Sequence, residues 1–256
     1  MDKNNIDQIV SQDIVEKMLS DYLEHSVSSI SDRIGIIEPA DKNIAGKIDH
    51  TLLQPDAVPG AINTLCVEAK QYKFAAVCVN PIYVSQCREF LKNSGVKVCT
   101  VIGFPLGANT AETKIFETEQ AIKNGAGEVD MVINIGMLKS GNYEFVFNEI
   151  NSFVSVTKKN NVVCKVILEA SLLTDFEKIK ACLLCREAGV DFVKTSTGFA
   201  SEGASANDVA LMKFIVGDSI GVKASGGIRS RKDAEAMFAC GADRIGTSSG
   251  VFIVTS

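Results

Sequence analysis

From Lys47 onward the chain alternates short apolar stretches with amphipathic ones, and that alternation constrains the fold more than any other feature. Residues 47–52, 75–80, 97–104, 128–134, 162–169, 192–196, 221–225 and 244–247 read as strands. Helical periodicity fills residues 61–72, 81–93, 111–124, 143–159, 175–188, 207–215 and 231–239 between them. Several helical stretches stop at Gly95, Gly125, Gly189 or Gly241, where glycine tolerates the left-handed turn that ends a helix. Strands alternating with helices imply a parallel sheet. Eight such units in ~210 residues fit a closed (β/α)8 TIM barrel better than an open doubly wound sheet. After Gly250 too few residues remain for a full closing helix.

Residues 1–40 stand apart as an N-terminal helical extension, and residues 41–256 form the barrel domain. Ile6, Ile9, Val10, Ile14, Met18, Leu19, Tyr22 and Leu23 recur at helical spacing and predict one amphipathic helix. A Ser-rich link over 26–31 and a short segment ending at Pro39 follow. The helix is expected to cap one end of the barrel, with subunit contact as the alternative.

Side chains alternate along a strand. Asp130, Lys165, Lys194 and Lys223 each share a strand face opposite an apolar one. That common face is the expected barrel interior, to which Asp49 and Thr51 are added from the first strand and Cys78 and Asn80 from the second. Barrel interiors are ordinarily filled by branched apolar side chains. Charges gathered there mark a functional site more readily than a structural ion-pair network does. Burial disfavours an ammonium, and a second lysine nearby disfavours it further. A neutral lysine is an amine nucleophile able to form a Schiff base with a carbonyl. After the seventh strand comes Ser225-Gly226-Gly227-Ile228-Arg229, and after the eighth Gly246-Thr247-Ser248-Ser249-Gly250. These two loops are a frequent phosphate-binding place in such barrels, through bare N–H groups and hydroxyls. Arg229 either adds charge there or is a surface residue opening the next helix.

Composition narrows the classes. Net charge is −5 with a pI near 5.2, and neither a basic stripe nor a basic tail is visible, so nucleic-acid and membrane-surface partners are not expected. No apolar run approaches the ~20 residues of a membrane span, and no signal peptide is evident. Eight cysteines occur, several in apolar strand or helix patterns where Cys acts as a small hydrophobe. Cys182-Leu183-Leu184-Cys185 falls mid-helix without a second pair, which argues against a metal site. Free thiols and a cytoplasmic location are expected.

Eight blocks carry a family resemblance: Lys47 to Thr51, Ala76 to Pro81, Val101 to Gly107, Glu128 to Asn134, Lys165 to Glu169, Phe192 to Gly198, Val222 to Arg229 and Gly246 to Gly250. In this order they resemble the deoxyribose-phosphate aldolases, over about residues 44–252. Lys194-Thr195-Ser196-Thr197-Gly198 and Lys223-Ala224-Ser225-Gly226-Gly227 are the most specific. The resemblance implies a metal-free Schiff-base lyase of deoxyribonucleotide catabolism, without cofactor. It would reversibly split 2-deoxy-D-ribose 5-phosphate into acetaldehyde and D-glyceraldehyde 3-phosphate. By motif, Lys194 is the Schiff-base lysine, Lys223 the neighbour that keeps it deprotonated, and Asp130 the general acid/base. Asp49, Cys78, Lys165 and Thr195 match further substrate-binding positions, and Gly198, Gly226, Gly227, Ser248 and Ser249 the phosphate side. A homodimer is what the family suggests.

Two departures stand out. Some members carry a phosphate-holding lysine where this chain has Phe199, and some end in a tyrosine-bearing tail, whereas no tyrosine follows Tyr143 here. Two alternatives remain: a phosphosugar isomerase on the same scaffold, and a phosphate-ligand-binding barrel without chemistry. An isomerase needs a carboxylate or histidine base, and His50, the histidine near a strand, is expected to face away from Asp49.

Overall fold

The computed structural model describes residues 1–26 and 44–256. Eight parallel strands close into a barrel in sequence order: β1 (Ile48–Leu52), β2 (Ala76–Val79), β3 (Lys97–Ile102), β4 (Glu128–Val132), β5 (Val163–Ile167), β6 (Phe192–Lys194), β7 (Gly221–Ser225) and β8 (Arg244–Thr247). The described helices are α1 (Lys3–Ile9), α2 (Gln12–Ser26), α3 (Pro59–Tyr72), α4 (Val84–Phe90), α5 (Ala111–Asn124), α6 (Ile135–Lys139), α7 (Tyr143–Lys159), α8 (Asp175–Ala188), α9 (Ala206–Val216), α10 (Arg231–Ala239) and α11 (Gly250–Thr255).

Local chemistry sets the helix boundaries. The Thr174 hydroxyl accepts from Glu177 N–H while the Glu177 carboxylate accepts from Thr174 N–H, a reciprocal cap that starts α8. Ser230 and Asp233 do the same for α10. The main core lies between the strands' outer faces and the helices, with Val129, Met131, Val166 and Val193 meeting Ile150, Phe153 and Leu184 in one cluster. All eight thiols are free and buried.

A buried ion pair crosses this layer. Lys114 Nζ donates to Glu149 Oε1 at 2.7 Å and to Val132 O at 2.8 Å. Glu149 Oε2 accepts from Asn134 N–H at 3.0 Å. The pair thus ties α5 and α7 to the end of β4. Burial pulls the Lys114 ammonium below its usual value and pushes the Glu149 carboxyl above its own, each against the pull of its partner.

The amino-terminal extension differs from its expectation in two ways. It is two helices, because the chain leaves helical geometry at Val10. Nor does it cap a barrel end. It packs along the helical layer, α1 on α7 and α8, α2 on α8 and α9. The Tyr22 hydroxyl donates to Asn207 O at 3.3 Å, and its ring lies 5.7 Å from that of Phe214. The apolar positions recurring along 6–22 therefore face other helices rather than exposed strand ends. The expected Ser-rich link, the segment ending at Pro39 and the 40/41 boundary lie outside the described residues. The short closing helix is present as the six-residue α11. No helix among the described residues is long and apolar enough to cross a membrane.

Candidate active site

Parallel pairing sets Lys194 of β6 beside Lys223 of β7, and Asp130 of β4 beside Lys165 of β5. These four side chains, with Asp49 of β1, point into the barrel and are buried, Lys194 retaining 3% exposure. They form one ionic cluster. Asp130 Oδ2 meets Lys194 Nζ at 2.9 Å and Lys223 Nζ at 2.7 Å, while Oδ1 meets Lys165 Nζ at 2.9 Å. Lys223 also lies 2.5 Å from Asp49 Oδ2.

The electrostatics differ from the lysine-against-lysine expectation. Burial pushes the Asp130 carboxyl up, but Lys165, Lys194 and Lys223 together outweigh it and hold the group well below the usual carboxylate range. Asp49 is likewise lowered, by Lys223, Lys165 and Arg244 against burial. Burial favours neutral Lys223, yet Asp130 and Asp49 prevail and raise its value above that of an ordinary lysine. Lys165 is raised in the same way, Asp130, Glu128 and Asp49 prevailing over burial. Lys223 is therefore a fixed ammonium beside Lys194.

Three members of this cluster were not singled out from the sequence. Glu128 Oε2 lies 2.5 Å from Lys165 Nζ. Arg244 reaches Asp49 Oδ1 at 2.7 Å with Nη1 and Glu128 Oε1 at 3.1 Å with Nη2. Cys99 donates to Asp130 Oδ1 at 3.1 Å. Glu128 shares the strand parity of Asp130, which was the available signal. Arg244 opens β8, where no longer strand pattern fixes its direction.

Above the cluster, past the carboxyl ends of the strands, opens a cavity of about 290 Å³. Lys194 lines it, whereas Asp49, Cys78, Asp130, Lys165 and Lys223 lie beneath and are fully buried. Its walls come from four segments: Thr51 to Gln54 at the end of β1; Thr197, Gly198 and Phe199 after β6; Gly226, Gly227 and Arg229 after β7; Gly246, Thr247 and Ser248 through the end of β8. The loops after β6 and β7 meet closely enough to demand glycine. Gly226 has φ +86°, and a Cβ built on Gly203 would lie 2.2 Å from Gly226 O. Gly203 lies just beyond the Lys194–Gly198 motif and carried no signal of this contact. Glu169 braces the β6 loop from below. Its carboxylate accepts from Thr197 N–H at 3.2 Å and from the Thr197 hydroxyl, and its own backbone is left-handed at φ 56°. The Phe199 and Phe104 rings meet edge to face at 5.2 Å across the mouth.

The structure does not bring every expected residue to the cavity. The Thr195 hydroxyl is turned between β6 and β7, accepting from Ser225 N–H and donating to Ser225 O. Ser249 faces a separate surface groove with His50 and Glu68. His50 points outward, its Nε2 2.6 Å from Glu68 Oε2.

A (β/α)8 barrel with a lysine amine at the floor of a polar cavity, ringed by loops rich in glycine and hydroxyl groups, is the architecture of an aldolase. The chain belongs to the DeoC/LacD aldolases, whose family model ("DeoC/LacD family aldolase") matches residues 44–253. It is 61% identical over 214 residues to the deoxyribose-phosphate aldolase of Geobacillus sp. (strain WCH70), covering 84% of this chain and 96% of that relative. It is 59% identical to the deoxyribose-phosphate aldolase of Thermoanaerobacter sp. (strain X514), covering 83% and 96%. Among solved structures, a putative deoxyribose-phosphate aldolase from Coccidioides immitis superposes with a TM-score of 0.82 at 41% identity, covering 88% of this chain and 94% of that one. The tetrameric enzyme from Aeropyrum pernix superposes with a TM-score of 0.82 at 36% identity, covering 90% and 97%.

Proposed function

We propose that this chain reversibly cleaves 2-deoxy-D-ribose 5-phosphate to acetaldehyde and D-glyceraldehyde 3-phosphate through an imine on Lys194. The observation that carries the reading is the position of Lys194. Its amine is at the cavity floor, against the same Asp130 oxygen that contacts Lys223.

In the reaction, the Lys194 amine adds to C1 of the open-chain sugar. Loss of water from the carbinolamine gives a protonated imine, which is an electron sink. Removal of the C3 hydroxyl proton breaks the C2–C3 bond, releasing D-glyceraldehyde 3-phosphate and leaving an enamine. Protonation at C2 and hydrolysis then release acetaldehyde and restore the lysine. Asp130 and Lys223 move the protons, a role typically contributing ~10²–10⁴-fold. Because the ammonium groups of Lys165 and Lys223 hold Asp130 ionised, it keeps a proton only in passing, and Lys223 is the resting donor. The loops bearing Gly198, Gly226, Gly227 and Ser248 receive the phosphate and align the reacting end. Phe199 leaves that contact to backbone N–H groups and hydroxyls, with Arg229 at the rim. Asp49 and Lys165 hold the pair from below, and Cys78 packs beside them.

The imine supplies the electron sink, so no metal or cofactor is required. Cys78, Cys99 and Asp130 come close enough to hold a cation, but both Asp130 oxygens already face lysine amines. Substrates are small phosphosugars and aldehydes, the compartment is the cytoplasm, and the chain assembles as a homodimer. Residues 41–256 make up the catalytic domain. An isomerase reading finds no histidine in the cavity among the described residues, since His50 faces outward to Glu68.

Borohydride reduction in the presence of acetaldehyde tests the proposal. A reduced two-carbon adduct mapping to Lys194 is expected, with activity unaffected by chelators. Turnover without an adduct would remove the imine from the mechanism.

A further inference from the structure

We propose that Arg244, at the opposite end of the barrel from the cavity, sets the charge balance that frees Lys194 to act as an amine. Arg244 is thus a positioning residue that works through Asp49 and Glu128. This inference rests on the imine reading above.

The interior cluster contains three carboxylates, Asp49, Glu128 and Asp130, and four cationic side chains, Lys165, Lys194, Lys223 and Arg244. Three carboxylates are neutralised by three cations, so one of the four lysine and arginine side chains is surplus. Arg244 is effectively always charged. Lys165 touches Glu128 and Asp130 at 2.5 and 2.9 Å, and Lys223 touches Asp49 and Asp130 at 2.5 and 2.7 Å. Lys194 has one carboxylate contact, at 2.9 Å, on an oxygen it shares with Lys223. It is also the member of the cluster that lines the cavity. Lys194 is therefore the member that the carboxylates hold least and the one open to a carbonyl substrate.

Arg244 is needed for that result. It occupies one oxygen each of Asp49 and Glu128, and its guanidinium lies 5.8 Å from the Phe192 ring. Without its charge, three carboxylates would face two fixed cations, and Lys194 would be held as the third. The remaining groups facing the cluster do not supply a substitute. Cys78 and Cys99 point inward from β2 and β3, and neither can supply a positive charge in place of the guanidinium. Burial pushes Cys99 well above its ordinary value. Glu169, at the rim, is engaged by Thr197. Arg229 is exposed to solvent at the cavity mouth. His50 faces outward from β1.

The test compares the pH dependence of kcat/KM, and of the rate of borohydride trapping with acetaldehyde, across five proteins. These are the parent, Arg244→Gln, Arg244→Lys, Glu128→Gln and the double variant Arg244→Gln with Glu128→Gln. Arg244→Gln is expected to move the acid limb to higher pH by roughly one unit, the order of effect expected when a unit charge is lost from an ionic cluster at an effective dielectric near 20. Arg244→Lys keeps the parent limb. Glu128→Gln, which removes a carboxylate, moves the limb to lower pH and gives an independent reading should Arg244→Gln fold poorly. The double variant removes one charge of each sign and returns the limb toward the parent position, although the ion pair itself is gone. A merely structural tether predicts the same shift in the double variant as in Arg244→Gln. That outcome, or an unmoved limb in Arg244→Gln or in Glu128→Gln, overturns the proposal. Absence of a Lys194 adduct in the parent would instead overturn the imine reading, so the two failures are distinct.

Discussion

Lys194 and Lys223 converge on a single atom, Asp130 Oδ2, at 2.9 and 2.7 Å. They are register partners on adjacent strands, so the contact follows from pairing and is not an accident of side-chain reach. One of the two reaches the cavity, while the other is fixed beneath it by a second carboxylate, Asp49. The same geometry gives a nucleophile and a proton donor from one residue type.

Replacing the nucleophile tests the first half of that division. Lys194→Ala and Lys194→Arg are expected to abolish turnover and borohydride adduct formation. The far-ultraviolet circular dichroism spectrum should stay that of the parent. Full activity in either variant would place the chemistry elsewhere.

The second half is tested at Lys223. Lys223→Leu removes a cation from beside the amine, so the pH–rate profile should move to higher pH, and kcat should fall by ~10²-fold or more as a positioned proton donor is lost. An unmoved profile would deny Lys223 its role.

Glu169 presents two hydrogen-bond acceptors to Thr197 from a left-handed backbone position, a conformation that persists only when surroundings enforce it. Glu169→Ala should loosen the β6 loop and raise KM for the phosphorylated substrate by about 10-fold, equivalent to roughly 1.4 kcal/mol and within the cost of leaving buried donors unpaired. Kinetics with an unphosphorylated aldehyde should change little. Equal losses with both substrates would disprove a loop-specific role.

Away from the site, the Lys114–Glu149 pair predicts an asymmetric response. Lys114→Met strands a buried carboxylate and should destabilise by about 3–5 kcal/mol, whereas Lys114→Met combined with Glu149→Leu should recover most of that loss. Urea unfolding midpoints measure both. A double variant no more stable than Lys114→Met would mean that the stranded carboxylate is not the source of the loss.

Acid should unfold the protein through the barrel interior. Asp49 and Asp130 are both held below the ordinary aspartate value of 3.8. The stability they contribute is fully present above that value and is lost as pH falls through the lower folded-state values. The raised value of Lys223 acts in the other direction, contributing stability below 10.5 that is lost only at higher pH. Unfolding free energy should therefore decline below pH ~4, and Asp130→Asn should flatten that decline while costing stability at neutral pH. An equally steep decline in Asp130→Asn would assign the acid response to other groups.

Much of this was legible before any coordinates. Period-two alternation places Asp130, Lys165, Lys194 and Lys223 on one face, and helical periodicity gives α5, α7, α8 and α10 their observed ends, with glycine capping α5 and α8. The losses have physical causes. Glu128 has the inward parity of Asp130, but its partner Arg244 lies 116 residues further on, a pairing that no local pattern encodes. Gly203 is required by the approach of a loop over twenty residues away, which no local pattern encodes. Thr195 has a motif neighbour's chemistry but the opposite strand parity, so its hydroxyl serves the sheet. The break at Val10 separates two helices whose apolar positions keep almost one phase, and periodicity alone reads them as continuous.

The leading helices also dictate where this molecule is unavailable to its neighbours. By lying on α7, α8 and α9 they occupy that flank with the polypeptide's own amino-terminal segment, whereas the family match begins only at residue 44. A second copy approaching from that side would have to evict α1 and α2. A truncated form starting near residue 44 would offer a helical surface that α1 and α2 cover in the described structure.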